Sequence, residues 1–172
     1  MIYFSQRRLL RSLLTPNLVC RSLFDIPLES LSHSGYNAIW LDVDNTLLGA
    51  EDRDVSLNTQ NWVLAAKSLG YSVVILSNNR RHYRIERICN QVDVDGVFRA
   101  MKPFPHSIRK VARQRQISLR RSIVVGDQLL TDVIVGNWVR AYSVLVDPMD
   151  KKLSLFKTVQ REIELFFLAR LQ

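Results

Sequence analysis

The chain has 172 residues, which is enough for one domain with a single hydrophobic core. A hydrophobic fraction of 47% and a charged fraction of 23% are ordinary for folded proteins and exclude a disordered chain. The formal net charge of +8 favours anionic partners, namely phosphate esters, acidic lipid surfaces or nucleic acid. Cys20 and Cys89 lack metal-site spacing and are too few for a disulfide framework, so they fit a reducing compartment.

Residues 1–35 are predicted to form a helical lead-in to the main domain. After Pro16, residues 17–26 and 27–34 are interpreted as two short helices that end at Gly35. The first twelve residues contain arginines but no acidic residue, in the manner of a transit peptide. Their apolar side chains alternate with cations, as they do near the C-terminus, so both ends are candidate contacts with an anionic membrane surface. Packing of both segments on the core is the alternative that the sequence leaves open.

Residues 36–172 are predicted to be an α/β domain that includes a C-terminal helix. Strands are predicted at residues 38–43, 72–76, 96–100, 122–125 and 142–146. Helices are predicted at residues 57–69, 83–91, 105–116, 131–140 and 153–171. Strands separated by helices imply right-handed crossovers, and therefore a doubly wound, mostly parallel sheet that is covered on both faces. No apolar run approaches the roughly 20 residues of a membrane-spanning helix, so we expect no membrane span.

Carboxylates follow the first and the fourth predicted strands of this domain. Asp42 and Asp44 come at the end of the first strand, where alternation would place both side chains on the same side. Asp127 and Asp132 follow the fourth strand. Carboxylates held close together repel one another, and a bound divalent cation is the usual compensation. Hard oxygen ligands of this kind suit Mg²⁺.

Groups that suit a phosphate follow the second and third predicted strands. Ser77 and Asn78 provide a hydroxyl and an amide beside a predicted helix N-terminus, which favours an anion. Lys102 follows the third strand, where an ammonium could neutralise the charge of a transferring group. Each feature alone could be a turn, a helix cap or a surface cation. Because ligands of open α/β sheets bind beyond the carboxyl ends of the strands, the order of the four strand ends favours phosphoryl transfer.

This order of motifs resembles the haloacid dehalogenase (HAD) superfamily from about residue 38 to residue 132. The segments Leu-Asp-Val-Asp-Asn-Thr-Leu and Gly-Asp-Gln-Leu-Leu-Thr-Asp-Val are similar to the YqeG type, subfamily IIIA. That family is related to phosphatidylglycerophosphate phosphatases of the mitochondrial and plastid type, and the lead-in at residues 14–26 also resembles it. The resemblance implies a HAD-like, Rossmann-type fold, and the short segments at residues 46–57 and 79–102 leave no room for a cap domain.

The resemblance also implies a role for each residue of the site. Asp42 would attack phosphorus to form an aspartyl-phosphate, and Asp44 would act as the general acid and base. The implied catalytic residues are Asp42, Asp44, Ser77 and Lys102. The implied phosphate-binding residues are Thr46, Ser77, Asn78 and Lys102. The implied Mg²⁺ ligands are Asp42, Asp44 through its main-chain carbonyl, Asp127 and, completing the shell, Asp132.

The function implied is dephosphorylation of phosphatidylglycerophosphate to phosphatidylglycerol, a step of phospholipid biosynthesis. We therefore expect a phosphorylated lipid substrate and a peripheral enzyme on the inner face of a membrane, in the cytoplasm or in an organelle. A soluble phosphoester, a phosphoprotein or a nucleic-acid end is the alternative substrate. A non-catalytic RNA-binding protein would explain the charge but not the carboxylates, so nucleic acid is not the expected partner. Arg84 and Arg87 are interpreted as a solvated helix face, and the sequence does not indicate an oligomeric state.

Overall fold

A six-stranded parallel sheet with the strand order β1-β6-β5-β2-β3-β4 forms the centre of the molecule. The computed structural model of the chain describes residues 2–49 and 51–150, with side chains from residue 8 onward. The strands are β1 (Leu18–Cys20), β2 (Ala38–Leu41), β3 (Ser72–Leu76), β4 (Asp95–Val97), β5 (Ser122–Gly126) and β6 (Tyr142–Val146). The predicted helix at residues 153–171, with the membrane contact considered there, lies outside the described residues.

Helices cover both faces of this sheet. They are α1 (Ile2–Leu14), α2 (Leu28–His33), α3 (Leu57–Ser68), α4 (His82–Val92), α5 (His106–Gln114) and α6 (Ile134–Trp138). Short 3₁₀ turns lie at Leu23–Asp25 and Leu119–Arg121, and a π-helical turn lies at Leu129–Val133. None of the described helices is both long and apolar enough to cross a bilayer.

The two faces of the central strands build two separate parts of the core. On one face Ile39 and Ile75 pack with residues of α3 and α4, such as Val63 and Ile88. On the other face Trp40 belongs to a cluster with residues of α5 and α6. β2 and β5 are buried along their whole length, as expected for parallel strands covered on both sides. The predicted doubly wound α/β fold is therefore confirmed.

The helix predicted at residues 17–26 is wrong, because part of this segment is the edge strand β1. Leu18 to Cys20 pair in parallel with β6, in the register Leu18 to Val144. The Asn17 side chain accepts a hydrogen bond from the main-chain N–H of Ser143 at 2.9 Å. Pairing between β1 and β6 provides hydrogen-bond partners for main-chain groups of β6 that would otherwise be unpaired at the sheet edge. The second predicted helix, at residues 27–34, is confirmed as α2.

Two further predicted elements end or begin differently near the strand ends. The strand predicted at residues 96–100 is observed as β4 and ends at Val97, after which Arg99 and Met101 adopt left-handed backbone conformations (φ 49° and 58°). The helix predicted at residues 131–140 begins instead with the π-helical turn, which is followed by α6. Both departures lie at the carboxyl edge of the sheet, where π-helical turns and left-handed residues often accompany functional sites.

Candidate active site

A buried ammonium group lies between two carboxylates at the carboxyl edge of the sheet. Lys102 Nζ is 2.6 Å from Asp42 Oδ1 and 2.6 Å from Asp132 Oδ1. The side chains of Lys102 and Asp132 are 3% and 1% exposed, and that of Asp42 is 10% exposed. Asp42 follows β2 directly, and its main-chain N–H donates to the carbonyl of Val125 in β5 at 2.9 Å. The sheet therefore fixes one carboxylate of the pair, and the π-helical turn fixes the other.

Burial and neighbouring charge act in opposite directions on these three groups. Burial raises the pKa of Asp42 to about 6 against the lowering effect of the Lys102 charge, and the Asp132 charge adds to the rise. Burial likewise raises the pKa of Asp132, again against Lys102. Burial by itself lowers the pKa of Lys102, but the charges of Asp132 and Asp42 outweigh it and raise that pKa above its ordinary value. Lys102 therefore remains an ammonium at neutral pH.

A third carboxylate completes a cluster that suits a hard divalent cation. Single oxygen atoms of Asp42, Asp127 and Asp132 all lie within 4.8 Å of one another. With the three carboxylates ionised against one ammonium, two negative charges remain in the cluster, which matches one divalent ion. The donor set consists of oxygen atoms, as Mg²⁺ and Ca²⁺ require. The residues present therefore fit the predicted cofactor, Mg²⁺.

Gly126 makes the close approach of Asp132 to the sheet feasible. A Cβ atom at residue 126 would lie 2.2 Å from the Cγ and Oδ2 atoms of Asp132. Real side chains do not approach so closely, so any larger residue would displace the carboxylate. The same carboxylate also accepts a hydrogen bond from the main-chain N–H of Gln128 at 3.2 Å. Residue 126 at the end of β5 therefore has to be glycine for the Asp132 carboxylate to occupy its position in the site.

Asp44 lies apart from this cluster. Because β2 ends at Leu41, the strand alternation that would place Asp44 beside Asp42 does not continue to residue 44. The Asp44 carboxylate does not belong to the metal-type group found among the described residues. It accepts hydrogen bonds from Asn79 Nδ2 at 2.9 Å and from an Arg84 guanidinium nitrogen at 3.1 Å. The ligand role assigned to the Asp44 main-chain carbonyl stays a prediction.

Arg84 is a site residue that the sequence analysis missed. Its side chain is 16% exposed, and it donates to the main-chain carbonyls of Gly49 and Asp52 as well as to Asp44. The interpretation of Arg84 as part of a solvated helix face is therefore wrong. Arg87, one turn later in α4, is 46% exposed and pairs with the exposed Asp54, as a surface residue would. No local pattern separates the two arginines, since the distinction depends on a loop more than 30 residues earlier in the chain.

The predicted phosphate-binding residues follow β2, β3 and β4 at the carboxyl edge of the sheet. Ser77 is 1% exposed, and its hydroxyl accepts a hydrogen bond from the main-chain N–H of Asn79 at 3.1 Å. The Asn78 side chain accepts from the main-chain N–H of Lys102 at 2.7 Å and donates to its carbonyl at 2.9 Å. Asn78 therefore holds the Lys102 backbone in place, a role that the sequence analysis did not foresee.

Thr46 lies in the turn that follows Asp42, with its main-chain N–H donating to the carbonyl of Val43 at 3.2 Å. It is 2% exposed, and among the described residues no group forms a hydrogen bond with its hydroxyl oxygen. Buried polar atoms without a partner are rare in folded proteins, and where they occur at a site a bound ion, water or ligand often supplies the partner. This hydroxyl is therefore available to a ligand oxygen.

Comparison of the chain with known proteins identifies a family and a relative that are both phosphatases. The family described as "Mitochondrial PGP phosphatase" matches residues 4–149. "Probable phosphatase YqeG" of Bacillus subtilis (strain 168) is 26% identical over 164 residues, which are 95% of this chain and 95% of that protein.

Two solved structures are similar in fold. An uncharacterized protein from Listeria monocytogenes serotype 4b aligns with a TM-score of 0.54 and 17% identity, over 69% of this chain and 85% of its own. A second, from Corynebacterium glutamicum, aligns with a TM-score of 0.52 and 19% identity, over 77% of this chain and 96% of its own. At these identities the likeness concerns the fold alone.

The parallel sheet with a lysine–carboxylate cluster at its carboxyl edge, together with the family match and the YqeG relative, identifies a phosphatase of the HAD type. Because the family match spans most of the chain, the protein belongs to the mitochondrial PGP phosphatase family. The predicted family is thereby confirmed, and with it the predicted class of enzyme.

Substitution of Gly126 tests whether the Asp132 position matters for the chemistry. Gly126→Ala should lower phosphatase turnover of p-nitrophenyl phosphate on the order of 100-fold, because a displacement of about 1 Å in a positioned group has effects of this size. Gly70→Ala is the control for lost stability: its φ of 87° strains any side chain, but an added Cβ there would meet no atom within 4 Å and so displaces no site residue. Urea denaturation of both variants separates lost stability from lost catalysis. Equal turnover in the two variants would show that the close contact with Asp132 is unimportant.

Proposed function

We propose that this protein is a Mg²⁺-dependent phosphatase that converts phosphatidylglycerophosphate to phosphatidylglycerol. The observation that carries the proposal is the Asp42 carboxylate, held 2.6 Å from the buried Lys102 ammonium within a three-carboxylate cluster. A carboxylate in this position can attack phosphorus while a fixed cation lies beside the transferring group. The name of the family supports the choice of substrate.

The proposed reaction proceeds in two steps on the protein's own side chains. An Asp42 oxygen attacks phosphorus, the bond from phosphorus to the glycerol oxygen breaks, and an aspartyl-phosphate forms. Asp44 donates a proton to the departing oxygen. Asp44 then takes a proton from a water molecule that attacks the same phosphorus, which releases inorganic phosphate and restores the Asp42 carboxylate. Asn79 and Arg84, which hold the Asp44 carboxylate, orient it for both transfers.

The phosphoryl oxygens need positive or hydrogen-bond-donating partners, because both the substrate and Asp42 are anionic. Lys102 provides the charge, and the hydroxyls of Ser77 and Thr46 provide donors. The Asn78 side chain is engaged with the Lys102 backbone, so its contribution to the phosphate would come from its main-chain N–H. These groups are fixed before substrate arrives, and they therefore need little reorganisation during the reaction.

Asp42, Asp127 and the main-chain carbonyl of Asp44 would hold Mg²⁺, with Asp132 completing or orienting the ligand shell. The bound ion would supply positive charge that offsets the repulsion between the nucleophile and the phosphate. The two negative charges that remain in the cluster beside Lys102 support this assignment. The close contact between Gly126 and Asp132 also supports the metal assignment, because the missing side chain at residue 126 leaves room for the Asp132 carboxylate beside β5.

The proposed substrate is a lipid, and the surroundings of the site are compatible with one. The loop between β2 and α3 is short, and only α4 and β4 lie between β3 and Lys102, so we propose a site without a cap domain. A site of this kind leaves the bulk of a substrate outside the protein. We propose that the enzyme works as a peripheral protein at the inner face of a membrane, in the cytoplasm or in an organelle.

Phosphate release from phosphatidylglycerophosphate in mixed micelles tests this function. The wild-type protein should release phosphate with Mg²⁺ and stop when EDTA removes the ion. Asp42→Asn should reduce release by at least about 10⁴-fold, since the nucleophile is lost. The protein should stay folded, because the side-chain volume is nearly unchanged and Asp132 still pairs with Lys102. A panel of soluble phosphoesters runs in parallel. Activity confined to soluble esters would contradict the lipid assignment, and wild-type activity in Asp42→Asn would contradict the mechanism.

Arg84→Met tests the orienting role of Arg84, with Arg87→Met as the matched control on the same helix. We expect kcat to fall on the order of tenfold in Arg84→Met, a part of the roughly 10²–10⁴-fold that a general acid contributes. KM should change little, because the hydrogen bonds described for Arg84 hold Asp44 and the loop after β2. In Arg87→Met both constants should stay near wild type. An equal fall of kcat in both variants would indicate a general effect on α4 instead.

A further inference from the structure

Exposed cations and apolar side chains border the site on the side of Lys102. Along the chain, no acidic residue lies between Asp95 and Asp127, although that interval contains many lysines and arginines. Several of these are exposed, and so are the apolar residues among them. We call six exposed residues near Lys102 the basic rim: Arg80, Arg99, Met101, Phe104, Arg109 and Lys110.

The residues of the basic rim line two cavities, and the first of these borders the site. Arg80, Arg99 and Met101 line a cavity of about 440 Å³ together with Asn78, whose side chain holds the Lys102 backbone. The other three residues line a second cavity, of about 630 Å³. The turn in which the main-chain N–H of Phe104 donates to the carbonyl of Met101 at 3.0 Å connects the two cavities. A group bound in the first cavity therefore lies next to Asn78 and the backbone of Lys102.

Met101 and Phe104 are two exposed apolar residues of one tight turn. Their exposed fractions are 66% and 59%, and they flank the buried Lys102. Arg99 and Met101 both have left-handed backbones, which non-glycine residues adopt at a cost in energy. Folding alone would not favour this arrangement, since it strains two residues and leaves two large apolar side chains in water. A partner that covers these side chains would account for it.

The charge of the rim indicates the chemistry of that partner. Within residues 8–49 and 51–150, no carboxylate forms an ion pair with any of the four cations of the rim. Arg115, at the end of α5, differs in that it pairs with Asp95 at 2.5 Å. Arg80 and Arg99 share the first cavity with Met101. Arg109 and Lys110 share the second cavity with Phe104. Anionic groups above an apolar layer have the complementary arrangement, and this is the arrangement of an acidic bilayer surface.

We propose that the basic rim is the surface by which this protein docks on an anionic lipid bilayer. Met101 and Phe104 enter the headgroup region, and the four cations bind lipid phosphates. This docking proposal rests on the proposed lipid substrate. It extends the proposed function by assigning membrane contact to the surface around the site rather than to either end of the chain. A headgroup in the bilayer would then lie beside Lys102 without having to leave the membrane.

Sedimentation of the full chain with lipid vesicles tests this docking surface without requiring any activity. The wild-type protein should bind vesicles of phosphatidylcholine mixed with phosphatidylglycerol and should not bind vesicles of phosphatidylcholine alone. Two double variants divide the rim: Met101→Ser with Phe104→Ser, and Arg109→Gln with Lys110→Gln. We expect each to weaken binding by about tenfold or more, because each removes two of the contacts that hold the protein at the surface.

Matched controls remove similar groups elsewhere. Leu57→Ser with Leu64→Ser removes two exposed apolar side chains of α3. Arg120→Gln with Arg140→Gln removes two exposed cations that precede β5 and β6, at the opposite edge of the sheet. Both controls should bind within about twofold of wild type if the surface is specific. Circular dichroism and urea denaturation verify that all variants are folded.

Several results would overturn the docking surface. One is wild-type binding by both rim variants, and another is an equal loss in rim and control variants, which would indicate net charge alone. Rim-dependent binding of a single-stranded RNA oligonucleotide, with no binding of anionic vesicles, would assign the surface to nucleic acid instead. Because these assays measure binding only, a rim that docks on vesicles in a protein inactive on the lipid would contradict the proposed substrate and leave the docking surface standing.

Discussion

Lys102 has a fixed charge in the interior of the protein, and much of the surrounding structure keeps that charge paired. Removing one partner of a buried ion pair typically costs about 3–5 kcal/mol, so both carboxylates have to stay within reach of the ammonium. Asn78 holds the Lys102 backbone, and the absence of a side chain at Gly126 leaves room for Asp132. The pairing of β2 with β5 holds the residue that follows β2, Asp42. Three separate segments of the chain therefore meet at the Lys102 ammonium, and a fourth, at Asn78, holds the backbone that carries it.

The two aspartates of the first motif have different surroundings, which fits different roles. Asp42 is buried in a cluster with a net negative charge, and burial raises its pKa to about 6. Asp44 is 30% exposed and is held by an amide and a guanidinium from the β3–α4 side of the site. A raised pKa by itself favours the role of acid rather than nucleophile. The nucleophilic role proposed for Asp42 therefore depends on the positive charge beside it, from Lys102 and the proposed Mg²⁺, which favours the ionised carboxylate. Arg84 links the Asp44 carboxylate to the loop that follows it, so the loop and the acid are positioned together.

The sequence predicted what local patterns determine. Alternating strand and helix patterns predicted the parallel sheet. Because ligands of such sheets bind beyond the carboxyl ends of the strands, the sequence also placed Asp42, Lys102 and Asp132 at one edge. The edge strand β1 was missed because three residues are too short to show a period, and its pairing with β6 spans more than 120 residues. The role of Arg84 was missed for a related reason, since nothing near it in the chain distinguishes it from Arg87. Contacts between distant segments decide both cases, and one sequence does not reveal them.

The central claim is that the Asp42 carboxylate forms a covalent bond to phosphorus. Enzyme quenched with acid during turnover and then reduced with borohydride should contain homoserine wherever an aspartyl-phosphate was present. Peptide mass spectrometry should find homoserine at position 42, unmodified aspartate at position 44, and neither change when substrate is omitted. Homoserine at position 44, or steady turnover with position 42 unmodified, would contradict the assignment of Asp42 as the nucleophile.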